Sequence, residues 1–372
     1  MSDQLKKLVV DVRMINASGI GTDLQNLLPY LMRKYRLTLL GNSQEINQYE
    51  WAKDLEVISF TSPIYSISEQ LLLPLVVPTC DIFLSPHFNV PFLPIKAKQR
   101  AVIIHDVYHL ASTSINPIQK LYAKLLLTAA AKLSDKVITI SDFTISEMKR
   151  YLNIGNKPVH KIILGVDKSR FNYTSHDSKL VELIRLKYNL PSKYMLYVGN
   201  VKPHKNLINV VEAIALLNSE QCIPLVVVGK KEGFLNADKQ LYKLIQQKQL
   251  SNSIFFTGFV DNDHLPVVYQ QADLFIFPSL YEGFGLPPLE AMACSCPTIV
   301  SDAASMPEVC KDASLYINAR DPKQIAIAIQ TLSTDDVLRN DLVKKGHYLI
   351  KEYSWEVAGQ MLHSILSSET ES

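Results

Sequence analysis

Two glutamates, eight residues apart, flank a loop rich in glycine and proline. Glu282 and Glu290 belong to YEGFGLPPLEA, residues 281–291. We expect a helix to begin near Leu286, because Pro287 suits the first turn of a helix, where no amide hydrogen is needed. Three backbone amides would then converge at the positive end of the helix dipole, which favours a phosphate group. These amides are those of Phe284, Gly285 and Leu286.

The two carboxylates indicate how a nucleotide sugar could be held at this loop. Carboxylates are strong acceptors for hydroxyl groups, so Glu282 and Glu290 predict sugar binding on either side of a diphosphate. The alternative is a general acid and a general base that straddle a glycosidic bond. We favour the nucleotide-sugar interpretation, because the acid–base alternative leaves the amides without a role.

A second candidate for phosphate binding lies in YVGNVKPHKNL, residues 197–207. Lys205 precedes Asn206, which we expect to cap the next helix. A lysine at a helix N-terminus opposes the helix dipole, and a bound anion would resolve that conflict. The loop therefore predicts a diphosphate site, whereas Lys202 is expected to be solvated.

Glycines and a histidine follow strand-like segments in the first half of the chain. Gly19 and Gly21 could bring a backbone turn close to a phosphate just ahead of a helix, or could form a plain strand–helix turn. The third glycine of a dinucleotide motif is absent, and no acidic residue sits suitably after a second strand of that unit, which argues against a nicotinamide cofactor. His105 ends a strand and could bind substrate hydroxyls or be a buried, hydrogen-bonded histidine. Asp142 is expected to cap a helix.

No metal site is predicted. Asp261-Asn262-Asp263 resembles the DxD of metal-using transferases, but Asp263 precedes a helical stretch and is expected to cap it. The five cysteines show no CxxC spacing. We interpret them as small core residues of a reducing compartment, with a metal site at Cys294 and Cys296 as the minor alternative.

Strand-like and helical segments alternate along the 372 residues. Apolar runs such as LVVDV (8–12), AVIIHD (101–106) and PLVVVG (224–229) are separated by helical patterns such as 117–133. Buried strands that alternate with helices are typical of parallel sheets. The pattern predicts an α/β fold of two doubly wound Rossmann-like domains that face a central cleft, joined near residues 165–178. The carboxyl ends of such strands bind ligands.

Composition is that of a globular protein, with 47% hydrophobic residues and a net charge of +2, which gives no support for nucleic-acid binding. Neither a signal peptide nor a membrane span is evident, so we expect a cytoplasmic protein. The first half of the chain is more basic than the second. This difference is either an ordinary scatter of charged residues or a basic region that meets an anionic acceptor. The lysine-rich stretch 118–136 could touch a membrane, although a helix packed on the core is the simpler interpretation.

Taken together, these segments resemble the retaining glycosyltransferases of the GT-B type, the glycosyl transferases group 1. Within that family the chain looks most like mannosyltransferases of bacterial surface polysaccharide synthesis. The matching segments are the glycine loop 19–21, His105-Asp106, GNVKPHKN (199–206), GFV (258–260), the glutamate pair and SDAASMPEV (301–309).

The resemblance implies a role for each matching position. Glu290 would bind the ribose hydroxyls, and Glu282 the hydroxyls of the donor sugar. Lys205 would neutralise the departing diphosphate, and His105 would lie near the reacting sugar. Further donor contacts would come from Gly19, Gly21, Asn200, Phe259, Val260 and the amides of Phe284, Gly285 and Leu286.

The chain departs from the family at two positions of the 199–206 segment. Many relatives carry an arginine directly after the glycine or just before the lysine, where this chain has Asn200 and His204. Neutralisation of the phosphates would then rest more heavily on Lys205 and the loop amides.

The implied activity is retaining transfer of a hexosyl group, most simply mannosyl, from a nucleoside diphosphate sugar to a glycan or lipid-linked acceptor. GDP-sugar is favoured over UDP-sugar, and neither a metal nor a resident cofactor is expected. Residues 1–168, completed by the C-terminal helix 354–372, would bind the acceptor, and 169–353 the donor. The enzyme could also contact the inner face of the membrane. The alternatives are a sugar-nucleotide epimerase of the same fold and a catalytically silent partner in a polysaccharide assembly complex.

Overall fold

The described residues, 5–174, 176–217, 223–229 and 239–368, form two units in this computed structural model. The first unit contains the described residues up to Gly165 together with those from Trp355 onward. The second contains the described residues from Val166 to Ser354. Each unit is built around its own parallel sheet, so the predicted α/β fold with two doubly wound sheets is confirmed.

Seven described strands form the sheet of the first unit. They are β1 Lys7–Asp11, β2 Arg36–Gly41, β3 Glu56–Ser59, β4 Cys80–Ser85, β5 Ala97–Ile103, β6 Lys136–Thr139 and β7 Val159–Lys161. All pair in parallel, in the order β3-β2-β1-β4-β5-β6-β7. The described helices of this unit before Gly165 are α1 Ser18–Leu31, α2 Ser43–Ile46, α3 Ile67–Val76, α4 Tyr108–Ala111, α5 Pro117–Leu133 and α6 Asp142–Tyr151, with a 3-10 turn at Glu50–Ala52.

The second unit has a sheet of six described strands. They are β8 Met195–Val198, β9 Leu225–Val228, β10 Ile254–Gly258, β11 Leu274–Phe277, β12 Thr298–Ser301 and β13 Leu315–Ile317, in the order β10-β9-β8-β11-β12-β13. The described helices are α7 Ser178–Tyr188, α8 Leu207–Ile214, α9 Lys239–Gln247, α10 Leu265–Gln270, α11 Leu286–Ala293, α12 Met306–Cys310, α13 Pro322–Thr334 and α14 Asp336–Leu349, with a 3-10 turn at Pro203–Lys205.

The last described helix, α15 (Trp355–Ser367), packs on α1 of the first unit. A Cβ added to Gly359 would lie 2.5 Å from Cγ of Tyr30, so only glycine lets the two helices approach this closely. His363 Nδ1 and the Tyr35 hydroxyl, 2.9 Å apart, add a polar contact. The helix is therefore part of the core of the first unit.

Strands are buried because helices cover both faces of each sheet. All four residues of β6, β9, β11 and β12 are buried, which explains why the sequence shows continuous apolar runs instead of alternation. Strand order reverses beside β1 in the first sheet and beside β8 in the second. Ligands of doubly wound sheets bind at such switch points, beyond the carboxyl ends of the strands.

Candidate functional site

The switch point of the second sheet brings together the two loops singled out from the sequence. Strand β8 leads into the loop of Lys205, and its neighbour β11 leads into the loop of Glu282. The side chains of Lys205 and Glu282 form a salt bridge in which both are largely buried. The ammonium group of Lys205 also lies 5.3 Å from the centre of the Phe277 ring, within cation–π range.

Hydrogen bonds between the two loops hold this pair in place. The amide of Leu280 donates to the carbonyl of His204 at 2.8 Å, and the Ser279 hydroxyl donates to the same carbonyl at 3.3 Å. The Tyr197 hydroxyl donates to the carbonyl of Asn200 at 2.9 Å. Burial, and to a smaller extent the charge of Glu282, raise the pKa of Tyr197, so it remains a neutral donor.

Asn206 does not cap helix α8 with its side chain, contrary to our prediction. It occupies the cap position in the left-handed conformation, with φ of 62°. Its amide instead donates to the carbonyl of Ala319 at 2.5 Å and to that of Pro278 at 3.2 Å. Asparagine tolerates this conformation better than most residues, so Asn206 fixes the exit of the Lys205 loop against the ends of two strands.

Helix α11 begins at Leu286, as predicted. The preceding Gly285 has φ of 109°, a backbone conformation that residues with a side chain rarely adopt, so glycine is required. Pro287 and Pro288 bring no amide hydrogen to the first turn. Leu286 is therefore the one residue of the first three in α11 that can offer a backbone donor to an anion.

Ser305 fixes the glycine loop and was not assigned a role from the sequence. Its fully buried hydroxyl lies 2.7 Å from the carbonyl oxygen of Phe284 and 3.0 Å from that of Glu282. Both carbonyls are thereby held on the side of Ser305. A peptide unit points its N–H opposite to its carbonyl, so this arrangement turns the amides that follow Glu282 and Phe284 away from Ser305. Those are the amides of Gly283 and Gly285.

Glu290 lies in the second turn of α11 and accepts a hydrogen bond from the Tyr269 hydroxyl at 2.9 Å. Burial raises the pKa of Glu290, and the Tyr269 hydrogen bond and the nearby charge of Arg170 oppose that change. Tyr269 is fully buried, and its pKa is raised by burial and by Glu290. Sequence patterns did not identify Tyr269, because its position inside the apolar stretch of α10 is typical of a core residue.

The remaining predicted contacts of the second unit lie at strand ends but differ in exposure. Asn200 is exposed, Phe259 has 58% of its surface exposed, and Val260 is buried. Lys202 is exposed, as predicted. Val260 therefore belongs to the core, whereas the ring of Phe259 is largely exposed.

Asp263 does not cap α10, contrary to our prediction. The helix begins at Leu265 with His264 at the cap position and no side-chain cap. The amides of His264 and Leu265 bond instead to the carbonyl of Asp261, at 2.9 and 3.1 Å. The carboxylate of Asp261 pairs with Lys187 at 2.7 Å. Within the described residues, no group of three or more His, Cys, Asp or Glu side chains is arranged to hold a metal ion.

Cys80, Cys294, Cys296 and Cys310 are buried with free thiols, which confirms their interpretation as core residues. Cys222 lies outside the described residues.

In the first unit, Gly19 and Gly21 lie inside the first turn of α1. The sequence had predicted that they would lie just ahead of the helix. The helix starts early because the chain turns at residues 13–17, directly after β1. A Cβ on Gly21 would lie 2.4 Å from the carbonyl oxygen of Ile15, whereas a Cβ on Gly19 would meet nothing within 4 Å. Close packing against Ile15 therefore explains why residue 21 is a glycine. The space beside Gly19 is open, so packing does not explain the glycine there.

His105 is hydrogen-bonded to a carboxylate that the sequence did not reveal. Its Nε2 lies 2.7 Å from Oδ2 of Asp23 on α1. Asp23 is buried, which raises its pKa, and the hydrogen bond and charge of His105 oppose that change. The side chain of His105 is 16% exposed, so part of it remains accessible while the hydrogen bond with Asp23 orients the ring.

A second histidine follows β4, the strand next to β1. His87 Nδ1 accepts a hydrogen bond from the amide of Asn89 at 3.2 Å, and Nε2 lies 2.8 Å from the Tyr65 hydroxyl. Burial, followed by the charges of His105, Arg13 and His109, lowers the pKa of His87 to about 3. His87 is therefore neutral at physiological pH, with its proton on Nε2.

Helix α6 is capped by Ser141. The prediction that Asp142 caps this helix was wrong. The Ser141 hydroxyl accepts the amide hydrogen of Thr144 at 3.0 Å. Asp142 lies one residue later, in the first turn, and pairs with Lys161 at 2.6 Å.

Comparison with known proteins identifies relatives of this chain. Residues 182–348 match the family model "Glycosyl transferases group 1". O-antigen chain mannosyltransferase B of Escherichia coli is 30% identical over 279 residues, which are 74% of this chain and 71% of that protein. Serotype-specific mannosyltransferase WbdA of Escherichia coli is 32% identical over 227 residues, 60% of this chain but 27% of that much longer protein.

A solved structure shares the fold. Anabaena Alr3699/HepE in complex with UDP and glucose superimposes with a TM-score of 0.79 at 16% identity and covers 98% of this chain and 100% of that one.

Proposed function

Since the chain belongs to the glycosyl transferases group 1 family, in its mannosyltransferase-like GT-B branch, we propose that it is a retaining, nucleotide-sugar-dependent hexosyltransferase. The donor is a nucleoside diphosphate sugar, with GDP-mannose favoured, and the acceptor is a glycan or a lipid-linked saccharide. The observation that carries this proposal is the Lys205–Glu282 pair beside the start of α11.

Lys205 and the glycine-loop amides are the proposed diphosphate site. Lys205 supplies a positive charge, and the amides at the start of α11 supply donors that need no reorganisation when the diphosphate leaves. A bound diphosphate would give Lys205 a second anionic partner beside Glu282. Glu282 would then be available to accept hydrogen bonds from the sugar hydroxyls.

Glu290 is the proposed ribose ligand. Tyr269 occupies its Oε2, which leaves Oε1 to accept a hydrogen bond from a ribose hydroxyl. The base would rest on the backbone of Phe259 and Val260. Backbone recognition gives no side-chain code for the base, so the preference for GDP follows from the mannosyltransferase relatives.

In the first unit, His105 is proposed to lie near the reacting sugar and to bind its hydroxyls. Gly19 is proposed to let a phosphate approach the backbone. We propose a same-face reaction in which the leaving phosphate helps to take the proton of the acceptor hydroxyl. The contribution of the enzyme is then electrostatic stabilisation of the diphosphate and of the oxocarbenium-like sugar.

Calorimetric titration with GDP, UDP and ADP, without metal, tests the donor site. We expect one nucleotide to bind, with affinity reduced roughly 10- to 100-fold in Glu290→Gln, as for loss of a hydrogen bond to a charged group. Glu182→Gln, at an exposed position on α7, is the matched control. Absence of binding by all three nucleotides would favour the catalytically silent alternative.

Incubation with the matching nucleotide sugar separates the two enzyme classes. A transferase should release nucleotide rapidly only when an acceptor is present. Release of nucleotide and an epimerised sugar without acceptor would instead identify a sugar-nucleotide epimerase.

A further inference from the structure

Arg170 contacts the loop that is proposed to hold the nucleotide base. It lies in the second unit, in the segment that precedes α7. Its Nε donates a hydrogen bond to the carbonyl of Asn262 at 3.1 Å. Asn262 belongs to residues 259–262, here called the base loop, which include the proposed backbone contacts of the base. A side chain with a positive charge is therefore tied to this loop.

Arg170 is also connected to Glu290, the proposed ribose ligand. Its guanidinium carbon lies 4.5 Å from the centre of the Phe171 ring. That buried ring makes an edge-on contact with Tyr269, with 5.9 Å between ring centres, and the Tyr269 hydroxyl donates to Glu290. Burial raises the pKa of Glu290, and the Tyr269 hydrogen bond and the charge of Arg170 oppose that change. Arg170 thus acts on the residues proposed for the base and on the residue proposed for the ribose.

A hydrogen-bonded turn fixes the backbone at Arg170. Oδ1 of Asp167 accepts the amide hydrogens of Ser169 at 3.1 Å and of Arg170 at 3.3 Å. The carbonyl of Asp167 accepts the amide hydrogen of Phe171 at 2.7 Å. An aspartate that bonds to the backbone of its own turn stabilises that turn. The side chain of Arg170 therefore starts from a defined position.

One edge of the Arg170 guanidinium group is bound and another is available. Among the described residues, Nε is the only guanidinium atom of Arg170 for which the structure shows a hydrogen bond. This bond and the contact with the Phe171 ring restrict the plane of the group. Arginine presents its donors in a rigid, planar fork that suits two acceptors in one plane. The two Nη groups of Arg170 form such a fork.

Nucleotide bases differ in whether they offer a matching pair of acceptors. Guanine carries two neighbouring acceptors, O6 and N7, and arginine can bind both at once. Adenine keeps N7 but has an amino donor in place of O6. Uracil, like thymine, has a single acceptor on this edge, O4. A free arginine fork beside the base therefore favours guanine over the other two bases.

We propose that Arg170 selects guanine, with its two Nη groups donating hydrogen bonds to O6 and N7 of the base. The backbone of the base loop would hold any base, and Arg170 would discriminate between them. This inference rests on the proposed nucleotide-sugar function and adds to it a side chain that determines the donor. It gives a physical reason, within this chain, for a preference for GDP-sugars.

Calorimetric titration of the full chain with GDP, 7-deaza-GDP and UDP tests the contact directly. In 7-deaza-GDP a C–H group replaces the N7 acceptor, while the sugar and the diphosphate are unchanged. We expect the wild type to bind 7-deaza-GDP roughly 10-fold more weakly than GDP, as for loss of one hydrogen bond to a charged group. This comparison needs no variant, so it remains decisive if a variant fails to fold.

Arg170→Met shows whether that difference depends on Arg170. In this variant GDP and 7-deaza-GDP should bind with equal affinity, because N7 has lost its partner. The preference for GDP over UDP should also fall roughly 10- to 100-fold, which is the discrimination expected of a bidentate pair. A role in supporting the base loop would lower all three affinities without changing their ratios.

Lys187→Met is the matched control for support of the base loop. The exposed Lys187 pairs with Asp261 of this loop at 2.7 Å but is not proposed to touch the base. Its replacement should leave the ratios among GDP, 7-deaza-GDP and UDP as they are in the wild type.

Equal binding of GDP and 7-deaza-GDP by the wild type would overturn the proposal. So would an equal loss of all three affinities in Arg170→Met, which would leave Arg170 as a support of the base loop. A wild type that prefers UDP would overturn this inference but not the proposed transferase function. Binding of none of these nucleotides would overturn both.

Discussion

Lys205 and Glu282 neutralise each other in this structure. In the proposed donor site, a bound diphosphate would compete with the Glu282 carboxylate for the Lys205 ammonium group. The sugar hydroxyls would then use the carboxylate that this competition releases. Removal of either side chain should therefore have different consequences for nucleotide binding and for transfer.

Glu282→Gln should separate those two steps. We expect GDP alone to bind more tightly, because Lys205 loses its carboxylate partner. Sugar transfer should fall roughly 10- to 100-fold, because the sugar loses a charged hydrogen-bond acceptor. Calorimetry with GDP and transfer of radiolabelled mannose measure the two effects. If Glu282→Gln lowered both the affinity for GDP and the rate of sugar transfer, the role of Glu282 would be to position Lys205.

Asp23 fixes the ring of His105, so Asp23→Asn should change the state of that ring without unfolding the protein. We expect altered imidazole ¹⁵N shifts for His105 and a lower transfer rate, with GDP affinity unchanged. Two-dimensional NMR of the labelled protein and the transfer assay provide the readouts. Unchanged His105 signals would show that the Asp23 contact does not control the ring.

At the scale of single helices and strands, periodicity correctly predicted which segments of the chain form strands and helices. It did not predict which residues cap the helices. Every strand-like run noted in the sequence overlaps a strand of the structure, because continuous burial gives a strong apolar signal. The caps assigned to Asp142, Asn206 and Asp263 were wrong. Whether a side chain caps a helix depends on the backbone dihedrals of that one residue. It also depends on whether nearby groups, such as carbonyls, bind the side chain instead. A periodic pattern of apolar residues predicts neither.

The first turn of α1 offers a matched pair of glycine substitutions. Gly21→Ala should destabilise the first unit, because its Cβ would collide with the carbonyl of Ile15. Gly19→Ala should leave stability equal or raise it by about 0.5–1 kcal/mol, since alanine favours a helix. Urea unfolding measures both. If a phosphate approaches Gly19, that variant should also lose transfer activity while remaining folded; full activity would remove Gly19 from the site.

For the whole molecule, the family expected from the sequence is confirmed by its relatives. The Lys205 and Glu282 segments could be recognised because each follows a strand, and the sheet order makes those two strands, β8 and β11, neighbours. The supporting partners were not predictable. Ser305, Tyr269 and Asp23 act through contacts between residues 21 to 82 positions apart, and a pattern read along the chain contains no information on such pairs. Among the described residues, no helix is long and apolar enough to cross a membrane.

Stability of the whole protein should depend on pH through His87. The ring has a pKa of about 3 in the fold and 6.5 as the ordinary value. Between these values the unfolded chain binds a proton that the folded chain does not, so stability falls as pH falls. The thermal midpoint from neutral pH to about pH 5 should drop more steeply for the wild type than for His87→Gln. Parallel curves would contradict the assigned state of His87.

The most direct test of the donor site compares the affinities of GDP and guanosine for the wild type, Lys205→Gln and Lys202→Gln. The ligands differ only in the diphosphate, and the exposed Lys202 lies three positions away in the same loop. We predict that the preference for GDP over guanosine falls roughly 10- to 100-fold in Lys205→Gln and is unchanged in Lys202→Gln. An unchanged preference in Lys205→Gln would contradict the assignment of Lys205 and the α11 loop as the diphosphate site.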